Sequence, residues 1–90
     1  MDIAEAKRLF DLNESNKALE ILNELISLDK NDLKPYLLRA RIYYKMQRWG
    51  DAMNDYGTVL DLDPENHEAK TGLEMAKSIL GYFTPDMFNP

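Results

Sequence analysis

Laid against itself with an offset of 34 residues, this chain falls into register. Ala6 lands on Ala40, Leu9 on Tyr43, Ala18 on Ala52 and Leu22 on Tyr56. Leu25 lands on Val59, Ile26 on Leu60, Leu28 on Leu62 and Asp29 on Asp63. The correspondence reaches Asp32 on Asn66 and Pro35 on Ala69, then fades. A period of that length holds two helices per unit and marks an array of helical hairpins. Within each unit the apolar residues recur at helical spacing. Ile3, Ala6, Leu9 and Phe10 form one stripe, and Ala18, Leu22, Leu25 and Ile26 a second. Tyr36, Ala40, Tyr43 and Tyr44 form a third, and Ala52, Tyr56, Val59 and Leu60 a fourth. Ala69, Leu73, Ala76 and Leu80 form a fifth. No segment alternates with period two, so no strand is expected.

The breaks between stripes are short. NES at 13–15 separates the first two helices, with Ser15 or Asn16 expected as N-cap. DKND at 29–32 precedes the third, which Asp32 can cap while Pro35 sits in the first turn. QRWG at 47–50 precedes the fourth, and DPEN at 63–66 the fifth, with Asn66 as its expected cap. Gly81 is the expected C-terminal stop of the fifth. Tight connections imply antiparallel neighbours. The expected fold is all-α, a right-handed array of antiparallel hairpins in five helices with a non-helical apolar C-terminal tail. The expected boundaries are one helical domain over 1–81 and a tail over 82–90, the domain comprising repeats at about 1–32 and 33–66 and a capping helix at 67–80.

The stretch YLLRARIYYKMQRWGDAMNDYGTVLDLDPEN resembles a tetratricopeptide repeat. Tyr36 takes the large aromatic position, Ala40 the small residue and Tyr43 the tyrosine. Ala52, Tyr56 and Val59 take the packing positions of the second helix, and Pro64 the closing proline. Residues 1–32 form a weaker copy that keeps Ala6, Ala18 and Leu22 and has Lys30 at the proline position. Residues 67–80 match a first helix alone. Arg39 stands where many repeats carry leucine. The resemblance implies binding of extended peptides in a groove lined by the first helix of each hairpin. Carried over, that groove takes Ile3, Lys7, Phe10 and Asp11 from the first helix. It takes Lys34, Leu37, Arg41, Tyr44, Lys45 and Arg48 from the third, and Glu68, Thr71, Met75 and Ser78 from the fifth. One subset of the family grips the carboxylate ends of chaperone tails. Its five positions are Ile3, Lys7, Arg41, Thr71 and Met75 here, and only the charges of Lys7 and Arg41 remain. The chain is not expected to be such a clamp.

Charge sharpens the choice of partner. The net charge is -5, which opposes nucleic acid and anionic membranes as partners. Yet 33–50 holds no acid and carries Lys34, Arg39, Arg41, Lys45 and Arg48. Lys34, Arg41, Lys45 and Arg48 are spaced for one helical stripe, with Leu37 and Tyr44 on the same side. A basic wall with apolar residues between the charges suits an acidic peptide or a free C-terminal carboxylate.

Chemistry has little to stand on. There is no cysteine, and His67 is the single histidine. The serines and threonines lack a partner base at a diagnostic spacing, and DLDPENHE lacks the ligand pattern of a calcium loop. No metal or cofactor is expected, an enzyme of unknown class stands only as a remote alternative to a binding module, and the expected location is cytoplasmic. The N-terminus is no signal peptide, and the starting methionine favours a whole chain over the end of a longer array.

The tail, GYFTPDMFNP, remains. An array of two and a half units leaves an apolar face on its last helix. Tyr82, Phe83, Met87 and Phe88 are expected to cover it by folding back, or to enter the basic groove of the same or a second molecule. The rival to a monomeric peptide binder is therefore a homo-oligomerising assembly module, a weak homodimer held by the tail and end helices.

Overall fold

The computed structural model describes residues 1–83, and the side chains of 1–81. Five helices follow one another: α1 (Ile3–Asp11), α2 (Ser15–Leu28), α3 (Leu33–Lys45), α4 (Trp49–Leu62) and α5 (His67–Phe83). No strand occurs among the described residues. Each helix packs on the next in sequence, and α1 also touches α3. The fold is an all-α helical repeat.

The 34-residue register is visible in the backbone itself. Asn13 and Gln47 adopt left-handed conformations with φ of 63° and 61°. After each, the chain closes the preceding helix with a six-residue bond: Glu14 N–H donates to the Leu9 carbonyl and Arg48 N–H to the Tyr43 carbonyl, both at 2.8 Å. This sharp reversal places α2 against α1 and α4 against α3. Ala6 and Ala18 meet in the first hairpin and Ala40 and Ala52 in the second, all fully buried, so the backbones cross closely.

Caps follow the expected pattern at two helices and depart from it at one. Asp32 accepts from Lys34 N–H at 3.1 Å, and Asn66 accepts from Ala69 N–H at 2.9 Å. Neither Ser15 nor Asn16 caps α2. Its N-cap is Glu14, with no side-chain bond to the helix, because the turn at Asn13 brings the chain into helical geometry one residue early. The same turn starts α4 at Trp49, inside the expected break. Nor does Gly81 stop α5, which runs through it to Phe83. A glycine near a helix end costs only about 1 kcal/mol relative to alanine and does not break the hydrogen-bond ladder. The expected boundary between helix and tail therefore moves past Tyr82 and Phe83.

Two packed clusters form the core. The first joins Ala6, Ala18, Leu19 and Leu22 to Leu38 and Ile42 of α3. The second joins Tyr36, Ala40, Ala52, Tyr56 and Val59 to Ala69 of α5. Leu38 and Ile42 dock the second hairpin on the first, and their equivalents Gly72 and Ala76 serve α5. In α1 those positions are Ala4 and Arg8, both exposed.

The far side of α5 is equally polar. Where α3 presents Tyr36, Ala40 and Tyr43 to its partner helix, α5 has exposed Lys70, Glu74 and Lys77. The apolar end face expected of the last helix is thus absent over the described residues, and Met75 is the large apolar side chain of α5 that stays exposed there. The expected tail contacts of Tyr82, Phe83, Met87 and Phe88 lie outside the described side chains.

Candidate binding groove

Helices α1, α3 and α5 are the first members of successive hairpins, and two pockets lie along them. The smaller, about 190 Å3, sits between α1 and α3. Ile3 and Lys7 line it from α1, and Lys34, Leu37, Leu38 and Arg41 from α3. The larger, about 450 Å3, is lined by Tyr44 of α3, Tyr56 of α4, and His67, Glu68, Thr71, Gly72 and Met75 of α5. A third hollow of about 280 Å3 on α5 touches Glu74, Met75, Ser78 and Ile79.

The first two pockets are related by the repeat. Lys34, Leu37, Leu38 and Arg41 of the first become Glu68, Thr71, Gly72 and Met75 of the second when 34 is added to each number. Gly72 sets the second apart from the first. A Cβ there would lie 2.4 Å from Tyr56 Cζ, so the tyrosine ring lies against bare backbone. Tyr44 supports the same wall and meets Trp49 edge to face at 4.9 Å.

The cations expected to form one basic stripe are dispersed by their partners. Arg41 binds Glu68 of α5 through both Nε and Nη2. That bond holds the Glu68 carboxyl below its usual range and raises the Arg41 guanidinium. Burial, followed by the nearby Glu68 charge, pushes the Tyr56 hydroxyl up. Lys45 donates to Asn13 Oδ1 at 3.0 Å and lies 5.1 Å over the Phe10 ring, tying α3 to the end of α1. Arg48 is not on α3 at all, because the helix ends at Lys45 and reverses at Gln47. It pairs with Asp51 at 2.7 Å and stacks on Tyr43. Of the expected groove residues, Ile3, Lys7, Lys34, Leu37 and Arg41 meet in the small pocket, and Tyr44, Glu68, Thr71 and Met75 in the large one.

Arg39 has a partner that the sequence pattern left unassigned. Its guanidinium binds the two oxygens of Asp55 at 2.8 Å each and donates to Asn23 Oδ1 at 2.7 Å. Asp55 is only 4% exposed. The rings of Tyr36 and Tyr43 lie 5.9 and 5.8 Å from the Arg39 guanidinium. The cluster ties α2, α3 and α4 together and so holds the groove helix in place. Its signal in the sequence was a second off-pattern charge in the same repeat, since Asp55 stands 34 residues after Ile21.

Comparison with known proteins agrees with this geometry. Residues 34–66 match the tetratricopeptide repeat family. The chain belongs to that family. A DnaJ homolog subfamily C member 7 homolog of Dictyostelium discoideum is 33% identical over 72 residues, covering 80% of this chain and 13% of that protein. A UDP-N-acetylglucosamine--peptide N-acetylglucosaminyltransferase of Giardia intestinalis is 34% identical over 73 residues, 81% of this chain and 5% of that one. A tetratricopeptide repeat protein 21 homolog of Caenorhabditis elegans is 28% identical over 67 residues, 74% and 5% of the two chains. The chain thus spans a small part of each relative. Tetratricopeptide repeats mediate protein–protein interactions, and among the described residues no helix is long and apolar enough to cross a membrane.

Proposed function

We propose that this tetratricopeptide repeat chain is an interaction module that binds an extended peptide, acidic or ending in a free carboxylate, along α1, α3 and α5. The observation that carries the reading is the pair of repeat-related pockets, of about 190 and 450 Å3, on the first helices of successive hairpins. Successive packed helices stand about 8–10 Å apart, so one extended peptide of three or four residues spans both. Polar end faces, with Arg8 on α1 and Lys70, Glu74 and Lys77 on α5, support a monomeric binder over end-to-end assembly. The domain acts as a scaffold, not an enzyme, and works in the cytoplasm.

The test uses a displayed library of random nine-residue peptides selected on the immobilised full chain. An enriched peptide is then titrated into isotope-labelled protein. Amide shifts are expected at Lys7, Lys34, Leu37, Arg41, Tyr44 and Met75. Shifts confined to α2 and the outer face of α4 overturn the reading, as does a library that yields no binder.

A further inference from the structure

The two pockets share a geometry but not a charge pattern. Beside the second, Arg41 on α3, which also lines the first, reaches Glu68 on α5 and the two make a bidentate pair. Subtracting 34 from each gives Lys7 on α1 and Lys34 on α3. The register that joins arginine to glutamate across one junction therefore sets two ammonium groups across the other. Both lysines are exposed, and both line the small pocket. Among the described residues no carboxylate lies within ion-pair distance of either. Asp32, beside Lys34, accepts from its backbone N–H, and Glu5, near Lys7, pairs with the chain's own amino terminus. Lys34 also sits in the first turn of α3, where the helix dipole favours an anion and a lysine is misplaced.

We infer that Lys7 and Lys34 form a binding site for a carboxylate of the peptide ligand, which takes the place that Glu68 fills at the second junction. This deepens the proposed function and rests on it. The floor of the site is Ile3, Leu37 and Leu38, which accept the aliphatic stem of a glutamate or the last side chain of a C-terminus. One helix spacing further on lies the larger apolar pocket, walled by Tyr44 and by Tyr56, whose ring packs on the bare backbone of Gly72. A spacing of about 8–10 Å is about three residues of extended chain. The ligand therefore carries a carboxylate about three positions from a large aliphatic or aromatic residue. Arg41 adds little attraction, since its charge is already engaged by Glu68.

The experiment selects the same random nine-residue library in parallel on the full chain and on its Lys34→Glu variant. That substitution places a carboxylate opposite Lys7, as Glu68 stands opposite Arg41, so the site closes upon itself while the fold is retained. The wild-type chain is expected to enrich peptides with the carboxylate and the bulky residue about three positions apart. In fluorescence polarisation these peptides are expected to bind Lys34→Glu at least tenfold more weakly, and to weaken with added salt. Free-acid and amidated forms of one enriched peptide then separate a terminal from a side-chain carboxylate. Enriched peptides that shift the groove amides but lack an acid, or that bind Lys34→Glu equally well, overturn the carboxylate site and leave the groove reading intact. Failure to enrich any peptide overturns both.

Discussion

The junction between the two hairpins and the junction between the second hairpin and α5 occupy equivalent positions 34 residues apart, and they are built differently. At the first, Leu22 of α2 packs in the same cluster as Leu38 of α3. At the second, Tyr56 of α4 lies on Gly72 of α5. The first junction is filled by aliphatic side chains and leaves a small pocket; the second is aromatic and leaves a large one. Charge follows the same rule. Lys7 and Lys34 both line the pocket at the first, whereas Arg41 and Glu68 are joined at the second. A repeat register thus dictates where side chains meet, and the residues at each copy decide whether the meeting is filled, bonded or left to a ligand.

The sharpest way to break the comparison is to give the second hairpin the composition of ordinary repeats. Arg39→Leu restores the family's usual residue but strands Asp55, which is 4% exposed. A loss of about 3–5 kcal/mol is expected in urea denaturation, because a buried charge is left unpaired. Adding Asp55→Leu should recover much of it, since paired apolar replacements of a buried ion pair are often neutral or better.

The next largest effect tests the tyrosine-on-glycine contact. Gly72→Ala improves helix propensity yet sets a Cβ 2.4 Å from the Tyr56 ring. A net loss of about 1–2 kcal/mol is expected in thermal melts, overpacking exceeding the propensity gain. Tyr56→Leu in the same chain, which imitates Leu22, should relieve the clash. Survival of Gly72→Ala without loss would show that the ring is free to move away.

A smaller effect distinguishes the charge patterns. The Glu68 carboxyl is held below its ordinary value by Arg41. Its contribution is therefore fully present above the unfolded-state carboxylate pKa of about 4.3 and is lost as pH falls through the lower folded value. Both partners are 41% exposed, so the coupling should stay below about 1 kcal/mol. A double-mutant cycle of Arg41→Gln and Glu68→Gln is expected to show coupling at pH 7 that fades in acid. An undiminished coupling in strong acid would show that the charge on Glu68 is not its source.

The smallest effect lies at the two turns. Gln47 holds φ at 61° and Asn13 at 63°, and asparagine tolerates that conformation better than glutamine. Gln47→Gly should stabilise the chain by about 0.5 kcal/mol and Asn13→Gly by less, measured by chemical denaturation. Equal effects would mean that the two turns carry no difference in strain.

Much of this was legible in the sequence because helical repeats write their packing as a period. Ala6, Ala18, Ala40 and Ala52 marked the close crossings, and Asp32 and Asn66 marked two helix starts correctly. The departures share a cause. Helical spacing placed Arg48 beside Lys45, but the reversal at Gln47 is a matter of backbone conformation and carried Arg48 away to Asp51 and Tyr43. Periodicity within a helix likewise says nothing about partners on other helices. Arg39 with Asp55, and Arg41 with Glu68, are cross-helix pairs that appear only when hairpins are docked. The apolar end face was expected from the number of repeats, whereas Lys70, Glu74 and Lys77 were there to be compared with Tyr36, Ala40 and Tyr43.

The way the helices are strung together has a further consequence for motion. Each helix leans chiefly on its neighbours in sequence, so cohesion runs along one line and the array opens from its ends. Helix α5 packs on α4, and the Arg41–Glu68 bond fastens it back to α3. In hydrogen exchange the amides of α5 should open before those of α3, and earlier still in high salt. The wall of the larger pocket is then the first part of the domain to loosen, and a peptide seated there would be felt as a slowing of exchange along the whole of α5.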